Sequence, residues 1–217
     1  MKNKESFYQW ELVILLWFAF FLNQADRQVY NVVIPLIKAD LGFSDVQLGL
    51  VSTVFTLVYG VLVPFGGYAG DVLRRKWIVF FSLLIFSLGT LFTGLGNSVI
   101  MLILFRSITT GGGEAFYYPA ANSLLGQFHY KTRAMAMSIH QTALYIGIVA
   151  SGFLAGYIGE HYGWRSTFYV FGLIGILWAI VVAVRMKDTP LNNASKTPIE
   201  RIPMKALVRH IFQKRTV

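Results

Sequence analysis

Long apolar stretches dominate this chain, and charged residues fall mainly in the short breaks between them. Asp, Glu, Lys and Arg are absent from four stretches of 25, 29, 26 and 19 residues, at 46–70, 77–105, 134–159 and 166–184. About 20 apolar residues are enough for an α-helix to cross a bilayer core. Together with an apolar run near the N-terminus, the pattern predicts six spanning helices, at 12–37, 46–69, 77–96, 99–125, 134–158 and 166–184.

The first apolar run also has a feature of a secretory signal peptide, because "MKNK" precedes "LVILLWFAFFL". However, the following "NQADRQ" lacks a small-residue cleavage pattern, and "VYNVVIPLI" resumes the apolar run. We therefore interpret 12–37 as a spanning helix. The predicted fold class is an all-α integral membrane bundle of six helices within residues 1–186.

Composition supports a membrane protein and argues against an enzyme. The chain is 55% hydrophobic and 13% charged, which is too little charge for the surface of a soluble domain. It has no Cys, which excludes disulfide scaffolds and thiol chemistry. It contains no HExxH motif, nucleophile elbow or phosphate-binding glycine loop. We expect no enzymatic activity, no cofactor and no metal site.

The basic residues predict the orientation of the helices in the membrane. The net charge is +9, and 15 of the 19 Lys and Arg residues fall in segments that share one side when both termini are cytoplasmic. Such an excess fixes topology by the positive-inside rule. Cations at the ends of apolar segments suit anionic lipid rather than nucleic acid. We expect a multi-pass protein of the plasma (inner) membrane whose surroundings are the lipid bilayer.

The C-terminal tail, 187–217, has a different composition. "KDTPLNNASKTPIERI" is polar and contains Pro, which is typical of a linker. Beyond it, residues 203–214 carry one apolar helical face, formed by Met204, Leu207, Val208, Ile211 and Phe212. Since basic residues cover the rest, this segment is predicted to be a short amphipathic helix on the cytoplasmic membrane surface.

Four charged residues lie well inside the predicted helices, His140 set aside: Asp26, Arg27, Arg106 and Glu114. Burying a charge in a membrane is costly, so such residues usually face a cavity and pair with one another. Helix rise places Asp26 and Arg106 at similar depths. We expect Asp26 to pair with Arg106, and Arg27 to face a neighbouring helix or an outer vestibule. Asp26 and Glu114 are candidate proton-coupling residues, while a purely structural ion pair is the alternative.

The spacing between Arg106 and Glu114 predicts a distortion. Eight residues of regular α-helix would separate the two side chains by roughly 80° around the axis. Gly111, Gly112 and Gly113 lie between them and permit a bulge that would restore one face. The alternatives are that the glycines only allow close helix packing, or that the two side chains have different neighbours.

Several other polar residues could line a central path. The candidate substrate-binding set is Arg27, Arg106, Tyr117, Tyr118, Asn122, His140 and Gln141, with Asn23, Tyr30 and Asn31 nearby in sequence. His140 could relay protons or form a hydrogen bond between helices. Gly147, Gly152, Gly156 and Gly159 are predicted to form a packing seam on the fifth helix.

The turn "GGYAGDVLRRKW", residues 66–77, combines glycines with a charge cluster. Gly66, Gly67 and Gly70 are predicted to allow two helix backbones to approach closely. Asp71 ends the second helix, where the helix dipole disfavours an anion. Either Asp71 has a partner elsewhere in the protein, or it is an ordinary solvated loop charge.

"GYAGDVLRRK" resembles the signature loop of the major facilitator superfamily, Gly-x-x-x-Asp-Arg-x-Gly-Arg-Arg/Lys, with matches at Gly67, Asp71, Arg75 and Lys76. Val72 and Arg74 depart from it. "ADRQVYNVVIPLIKADLGFSD", "FRSITTGGGEAFYYPAANSLLG" and "GEHYGWRSTF" resemble helix 1, helix 4 and the entry to helix 6 of the same family. The resemblance implies that Gly67, Asp71, Arg75 and Lys76 form a conformational latch on the cytoplasmic side.

Within that superfamily the chain resembles two branches, the anion:cation symporters and the Spinster-like transporters of lysolipids and sphingolipids. The resemblance implies alternating-access transport, and the paired cations Arg27 and Arg106 favour a small organic anion such as a sugar acid in symport with protons. It also implies the N-terminal six-helix half of a twelve-helix fold, so we expect that transport needs a separately encoded C-terminal half or, as the alternative, a second copy of this chain. A membrane assembly subunit that transports nothing is the alternative from another class.

Single-cysteine labelling tests the predicted topology, because the chain has no Cys of its own. Cysteines introduced at Asn97 and Glu160 should react with an impermeant reagent from outside, and one at Lys131 only from inside. Labelling of the Lys131 position from the exterior would contradict the six-helix topology.

Overall fold

The structure is a computed structural model that describes residues 2–187, with side chains from Phe7 onwards. Within this range it has six long helices: α1 Lys2–Leu41, α2 Asp45–Val72, α3 Arg75–Thr93, α4 Val99–Phe128, α5 Arg133–Tyr162 and α6 Trp164–Arg185. The predicted all-α fold class is confirmed. Five predicted helices lie inside the observed bounds, while 77–96 runs past Thr93 into a turn. The predicted amphipathic helix at 203–214 and the tail beyond Lys187 lie outside the described residues.

Short connections join the helices, and local sequence explains two of them. Ser44 caps α2. Its side chain accepts a hydrogen bond from the backbone N–H of Gln47, and the Gln47 side chain accepts one from the backbone N–H of Ser44. Gly42 and Gly163 have φ angles of 66° and 83°, which glycine adopts without steric cost. These glycines allow the chain to reverse direction between α1 and α2 and between α5 and α6.

Five of the described helices, α2 to α6, are long and apolar enough to cross a membrane. The first helix, α1, has 40 residues but is less uniformly apolar, since its centre contains the polar run "NQADRQ". Asn23, Gln24 and Asp26 of this run are buried in the bundle. Helix α1 therefore carries polar side chains into the protein interior rather than towards lipid.

The helices pack in a defined set of neighbours. Helix α1 packs most extensively on α5, α3 packs on α6, and α4 packs on both α2 and α3. The buried apolar side chains form two clusters. One cluster contains Leu12, Leu16 and Leu22 of α1, and the other begins at Ala25 of the same helix and continues through Tyr30 and Ile37. The charged residue Asp26 thus lies near the boundary between two apolar cores.

Glycines bring some helix backbones together, though not everywhere the sequence predicts. A Cβ at Gly66 would lie 2.7 Å from the Ala115 carbonyl oxygen, while one at Gly67 or Gly70 would meet nothing within 4 Å. Only the first of these three predicted close approaches is therefore observed.

The predicted glycine seam on α5 is also only partly correct. Gly147 and Gly159 lie against α1, where a Cβ would come within 3.0 Å of Phe21 and Leu36 respectively. Gly152 has no neighbour within 4 Å, and a Cβ at Gly156 would make only ordinary contact at 3.8 Å. The small-xxx-small pair therefore makes no close approach to α1, because Gly152 has open space around it and Gly156 would only touch Val32 at van der Waals distance.

A polar cluster ties α1, α6 and the connection before α4 together at one end of the bundle. The Asp40 carboxylate at the end of α1 accepts hydrogen bonds from the Arg165 guanidinium and from Trp164 Nε1 at the start of α6. Arg165 also donates to Asn97 before α4, at 2.8 Å. The hydrogen bond from Arg165 lowers the pKa of the Asp40 carboxyl. The resulting stabilisation is present above the ordinary Asp pKa of about 3.9 and is lost as pH falls through the lowered value.

Substituting Gly172 tests the close packing of α6 on α3. A Cβ at Gly172 would lie 2.7 Å from the backbone nitrogen of Leu91. Gly172→Ala should therefore force the helices apart and destabilise the bundle by about 1–3 kcal/mol. Gly152→Ala, with open space around it, should be neutral or slightly stabilising. Thermal unfolding in detergent measures both, and equal midpoints for the two variants would contradict the packing.

Candidate substrate site between α1, α2 and α4

An ion pair links the two helices that carry the buried charges. Arg27 of α1 donates from Nε to Oε2 of Glu114 on α4 at 2.6 Å. The Glu114 side chain is fully buried, whereas 31% of the Arg27 side chain is exposed. The Arg27 guanidinium also lies 4.3 Å from the centre of the Tyr59 ring on α2. Arg27 therefore contacts charged or aromatic groups on two other helices while keeping one side accessible.

This pairing corrects the partner predicted from sequence. Asp26 and Arg106 do not form an ion pair among the described residues, and Arg27 turns towards Glu114 rather than an outer vestibule. The two consecutive residues point in different directions because a helix rotates about 100° per residue. Which of them faces α4 depends on the rotation of α1 about its axis, and sequence spacing alone does not determine that rotation.

The predicted distortion of α4 is present and takes a defined form. Residues Ile103–Thr110 are a π-helix, which is followed by regular α-helix from Gly111. A π-turn accommodates an extra residue, so the eight residues from Arg106 to Glu114 turn about as far as seven would in an α-helix. Seven residues come within roughly 20° of two full turns. Both side chains are buried, and they interact electrostatically with each other.

Hydroxyl groups and a glycine support the wide turns. The side chains of Thr109 and Thr110 donate to the carbonyl oxygens five residues earlier, at 2.9 and 3.0 Å. Ser107 donates to the Val51 carbonyl of α2 at 2.7 Å. Gly89 of α3 faces the π-helix, and a Cβ there would lie 2.9 Å from the Phe105 carbonyl oxygen. These contacts hold the bulge at a fixed position along α4.

Arg106 lies at the centre of the site. Arg106 is only 4% exposed. Its guanidinium lies 4.2 Å from the centre of the Phe55 ring and 5.4 Å from the centre of the Tyr30 ring. Cation–π attraction partly offsets the desolvation of this charge. Nε and Nη1 of Arg106 make no hydrogen bond within the part of the chain that the structure describes. The site thus contains a buried cation with two unused N–H donor groups.

A cavity of about 190 Å³ adjoins this cation. Its lining residues come from α1, α2 and α4, and they are Arg27, Tyr30, Asn31, Ser52, Phe55, Thr56 and Arg106. Both guanidinium groups therefore border the same space, which also offers hydroxyl and amide groups. Such a combination of cations and hydrogen-bonding groups is suited to a small anionic ligand.

Asp26 is buried near this layer of charges but outside the cavity lining. It is 2% exposed, and Thr90, Glu114 and Arg106 are its polar and charged neighbours. Oδ1 of Asp26 and Oε1 of Glu114 make no hydrogen bond to a described residue. Two carboxylates and two guanidinium groups thus share one interior region.

The other predicted substrate-binding residues lie outside that cavity. Tyr117 donates to the Leu16 carbonyl at 2.5 Å and lies 3.3 Å from His140 Nε2, and the His140 ring stacks on Phe20 at 4.7 Å. These contacts favour the interhelical hydrogen bond over a proton relay for His140. Tyr118 and Gln141 are exposed and Asn122 is half-buried. Their contact with substrate stays a prediction.

Sequence reasoning missed the contribution of α2. Ser52, Phe55, Thr56 and Tyr59 all lie at the site, yet none carries a charge that would mark it. The hydroxyl groups of "STVFT" in an otherwise apolar helix were an available signal. Phe55 has the larger role, because its ring lies 5.4 Å from the Arg27 guanidinium and 4.2 Å from that of Arg106.

The predicted latch residues flank the connection between α2 and α3: Gly67 and Asp71 lie in the last turns of α2, and Arg75 and Lys76 begin α3. Asp71 is exposed, and Arg75 donates from Nε to the Gly70 carbonyl at 2.9 Å. Lys76 Nζ lies 5.4 Å from the centre of the Trp77 ring. The turn therefore presents an acidic side chain and several basic ones to the surroundings of the bundle.

Comparison with known proteins assigns the family. The family model described as Major Facilitator Superfamily matches residues 16–217. The chain belongs to the Major Facilitator Superfamily. This membership confirms the resemblance found in the sequence, and the fold described above fits one six-helix half of the superfamily architecture, the N-terminal one.

Curated relatives within the superfamily are named as transporters rather than enzymes. The chain is 26% identical to the hexuronate transporter of Bacillus subtilis, covering 89% of this chain and 48% of that protein. It is 29% identical to the probable galactarate/D-glucarate transporter GudP of the same organism, covering 92% and 46%. The chain thus spans about half the length of the curated relatives that it matches.

A solved transporter structure also matches this chain over about half of its own length. The chain is 28% identical to a bacterial homologue of the human lysosomal transporter Spinster in an inward-facing, unoccupied conformation. The TM-score is 0.76, and the match covers 95% of this chain and 50% of the other. Both branches of the superfamily that the sequence resembles therefore appear among its relatives.

Removing one partner of the Arg27–Glu114 pair should have unequal effects. Arg27→Met leaves a fully buried carboxylate without its cation and should destabilise the bundle by about 3–5 kcal/mol. Glu114→Gln leaves a partly exposed cation and should cost less, and the double variant should recover part of the loss. Lys38→Met is the matched control, because Lys38 pairs with Asp45 at the exposed surface. Unfolding in detergent that ranks Lys38→Met equal to Arg27→Met would contradict this account.

Proposed function

We propose that this chain forms one half of a secondary active transporter that moves a small organic anion, such as a sugar acid, by alternating access. The observation that carries the proposal is Arg106, a buried cation with unused N–H groups beside the cavity that Arg27 also borders. The names of the relatives, which include transporters of hexuronate and of galactarate or glucarate, support an anionic substrate. A guanidinium can bind a carboxylate through two parallel hydrogen bonds.

The residues that line the cavity would form one wall of such a binding site. At about 190 Å³ it is smaller than the roughly 300–1,000 Å³ of most ligand pockets. The relatives are about twice as long as the matched part of this chain. We infer that a second six-helix half, on the same or a separate chain, supplies the opposite wall.

Proton coupling follows from the two interior carboxylates. While Glu114 is ionised it holds Arg27 in the ion pair. A proton on Glu114 would break that pair and free Arg27 to join Arg106 in binding the anion. Asp26, near Arg106 and Glu114, is the second proton-coupling candidate. A proton and an anion would then enter together, which is symport.

The orientation and the latch belong to the same proposal. The protein lies in the plasma (inner) membrane with both termini in the cytoplasm, so the segment 66–77 faces the cytoplasm. Gly67, Asp71, Arg75 and Lys76 latch the two halves together on this side when the transporter opens outwards. The exposure of Asp71 leaves it available to a partner on the second half.

Uptake of labelled D-glucuronate tests the function in cells that carry variants at the native locus. Arg106→Ala should abolish uptake, because no other group replaces the buried cation, and Asp26→Asn should remove its dependence on the proton gradient. Unlabelled glucose, a neutral analogue, should not compete. Unchanged pH dependence in Asp26→Asn would contradict its coupling role, and competition by glucose would contradict anion selectivity.

A lysolipid-type substrate is the second candidate, favoured by the structural match to the Spinster homologue. A lysolipid also carries an anionic phosphate that Arg106 could bind. Competition separates the two candidates in the same assay. Lysophosphatidylglycerol that displaces glucuronate completely at low concentration would favour the lipid, and the absence of competition would favour the sugar acid.

A further inference from the structure

A second and larger crevice lies apart from the candidate substrate site. It has a volume of about 640 Å³, is formed by α2, α3 and α4, and shares no lining residue with the smaller cavity. Its lining is almost wholly apolar. Trp77, Phe81 and Ile85 form one wall and are each 41–52% exposed, so the crevice opens on the surface of the bundle.

The apolar wall of the crevice extends along α3. Trp77, Phe81 and Ile85 are spaced four residues apart on one face of α3, which corresponds to about 12 Å along the helix. Gly112 and Gly113 of α4 also line the crevice, and a Cβ at Gly113 would lie 2.7 Å from the backbone nitrogen of Phe86, so α4 packs closely on α3 there. An apolar wall of this length suits a hydrocarbon chain that lies along α3.

Charge distinguishes one end of the crevice from the other. Arg74 lines the crevice at the turn between α2 and α3, and Arg75 and Lys76 follow it directly. Asp71 is the acidic residue on this turn, so the local charge is positive. Trp77 stands beside these cations, where an aromatic ring with a polar N–H suits the membrane–water interface.

We propose that this crevice binds one anionic phospholipid, with an acyl chain between α2 and α3 and the phosphate beside Arg74. The inference rests on the proposed orientation, in which the basic turn faces the cytoplasmic leaflet where anionic lipids are abundant. Arginine binds phosphate through parallel hydrogen bonds, and neighbouring cations add about fivefold in affinity each. The site is separate from substrate binding and does not depend on which anion is transported.

Native mass spectrometry of the full chain in detergent tests the site, with dioleoylphosphatidylglycerol as probe and dioleoylphosphatidylcholine as its uncharged-headgroup counterpart. One phosphatidylglycerol should bind at least tenfold more tightly than phosphatidylcholine. Arg74→Gln should weaken its binding about fivefold. Glycerol phosphate, which has the headgroup chemistry but no acyl chain, should not displace it.

A bulky substitution tests the place of binding. Ile85→Trp fills the crevice from its exposed wall and should abolish binding of phosphatidylglycerol. Leu177→Trp is the matched control, because Leu177 is a 64% exposed apolar residue on α6, and it should bind as before. Unfolding midpoints equal to that of the unmodified chain show that both variants are folded.

Four results would overturn the proposal. Equal affinity for the two lipids would show that the basic turn does not select the headgroup. Displacement by glycerol phosphate would identify a free phosphate site instead. Undiminished binding to Ile85→Trp would place the lipid elsewhere. Dimerisation of the chain that Ile85→Trp abolishes would identify a second protein copy as the occupant.

Discussion

The interior of this bundle is organised around buried charge. Two guanidinium groups and two carboxylates lie between α1 and α4, and three of the four residues are less than 5% exposed. Each ion costs several kcal/mol to desolvate, and the attraction between partners repays that cost only when the geometry is good. The 2.6 Å contact between Arg27 and Glu114 and the aromatic rings around Arg106 provide that geometry. The relative rotation of α1 and α4 must therefore preserve these contacts.

The packing on either side reflects this constraint. One apolar cluster follows α1 from Leu12 to Leu22, the other begins at Ala25, and the charges occupy the level between them. Polar contacts also join α1 to α6 at two levels, through Asp40 and Arg165 near the start of α6 and through Glu11 and Arg185 at its end. The polar level in the middle of α1 thus has a contact with α6 on either side of it.

The sequence predicts the elements of this fold better than their contacts. Helix bounds follow from runs of apolar residues that only membrane burial explains, and the distortion of α4 follows from the spacing of Arg106 and Glu114. The predicted Asp26–Arg106 ion pair was wrong, because packing determines the rotation of α1 and Arg27 rather than Asp26 pairs with a charged residue of α4. Phe55 was missed because a phenylalanine in an apolar helix gives no signal of the cations beside it. Gly152 and Gly156 have a packing spacing, but no helix backbone approaches either of them closely.

The π-helix of α4 changes how this segment should be compared with related sequences. It absorbs one residue, so two side chains that are eight positions apart occupy the places that seven positions would give in a regular helix. An alignment without gaps through "FRSITTGGGEAF" would pair either Arg106 or Glu114 with its structural equivalent in a regular helix, but not both. The single-residue gap belongs inside the membrane, within Ile103–Thr110, although insertions are usually assigned to loops. Profiles that penalise gaps in transmembrane helices would therefore misplace one of the two charged residues that define this site.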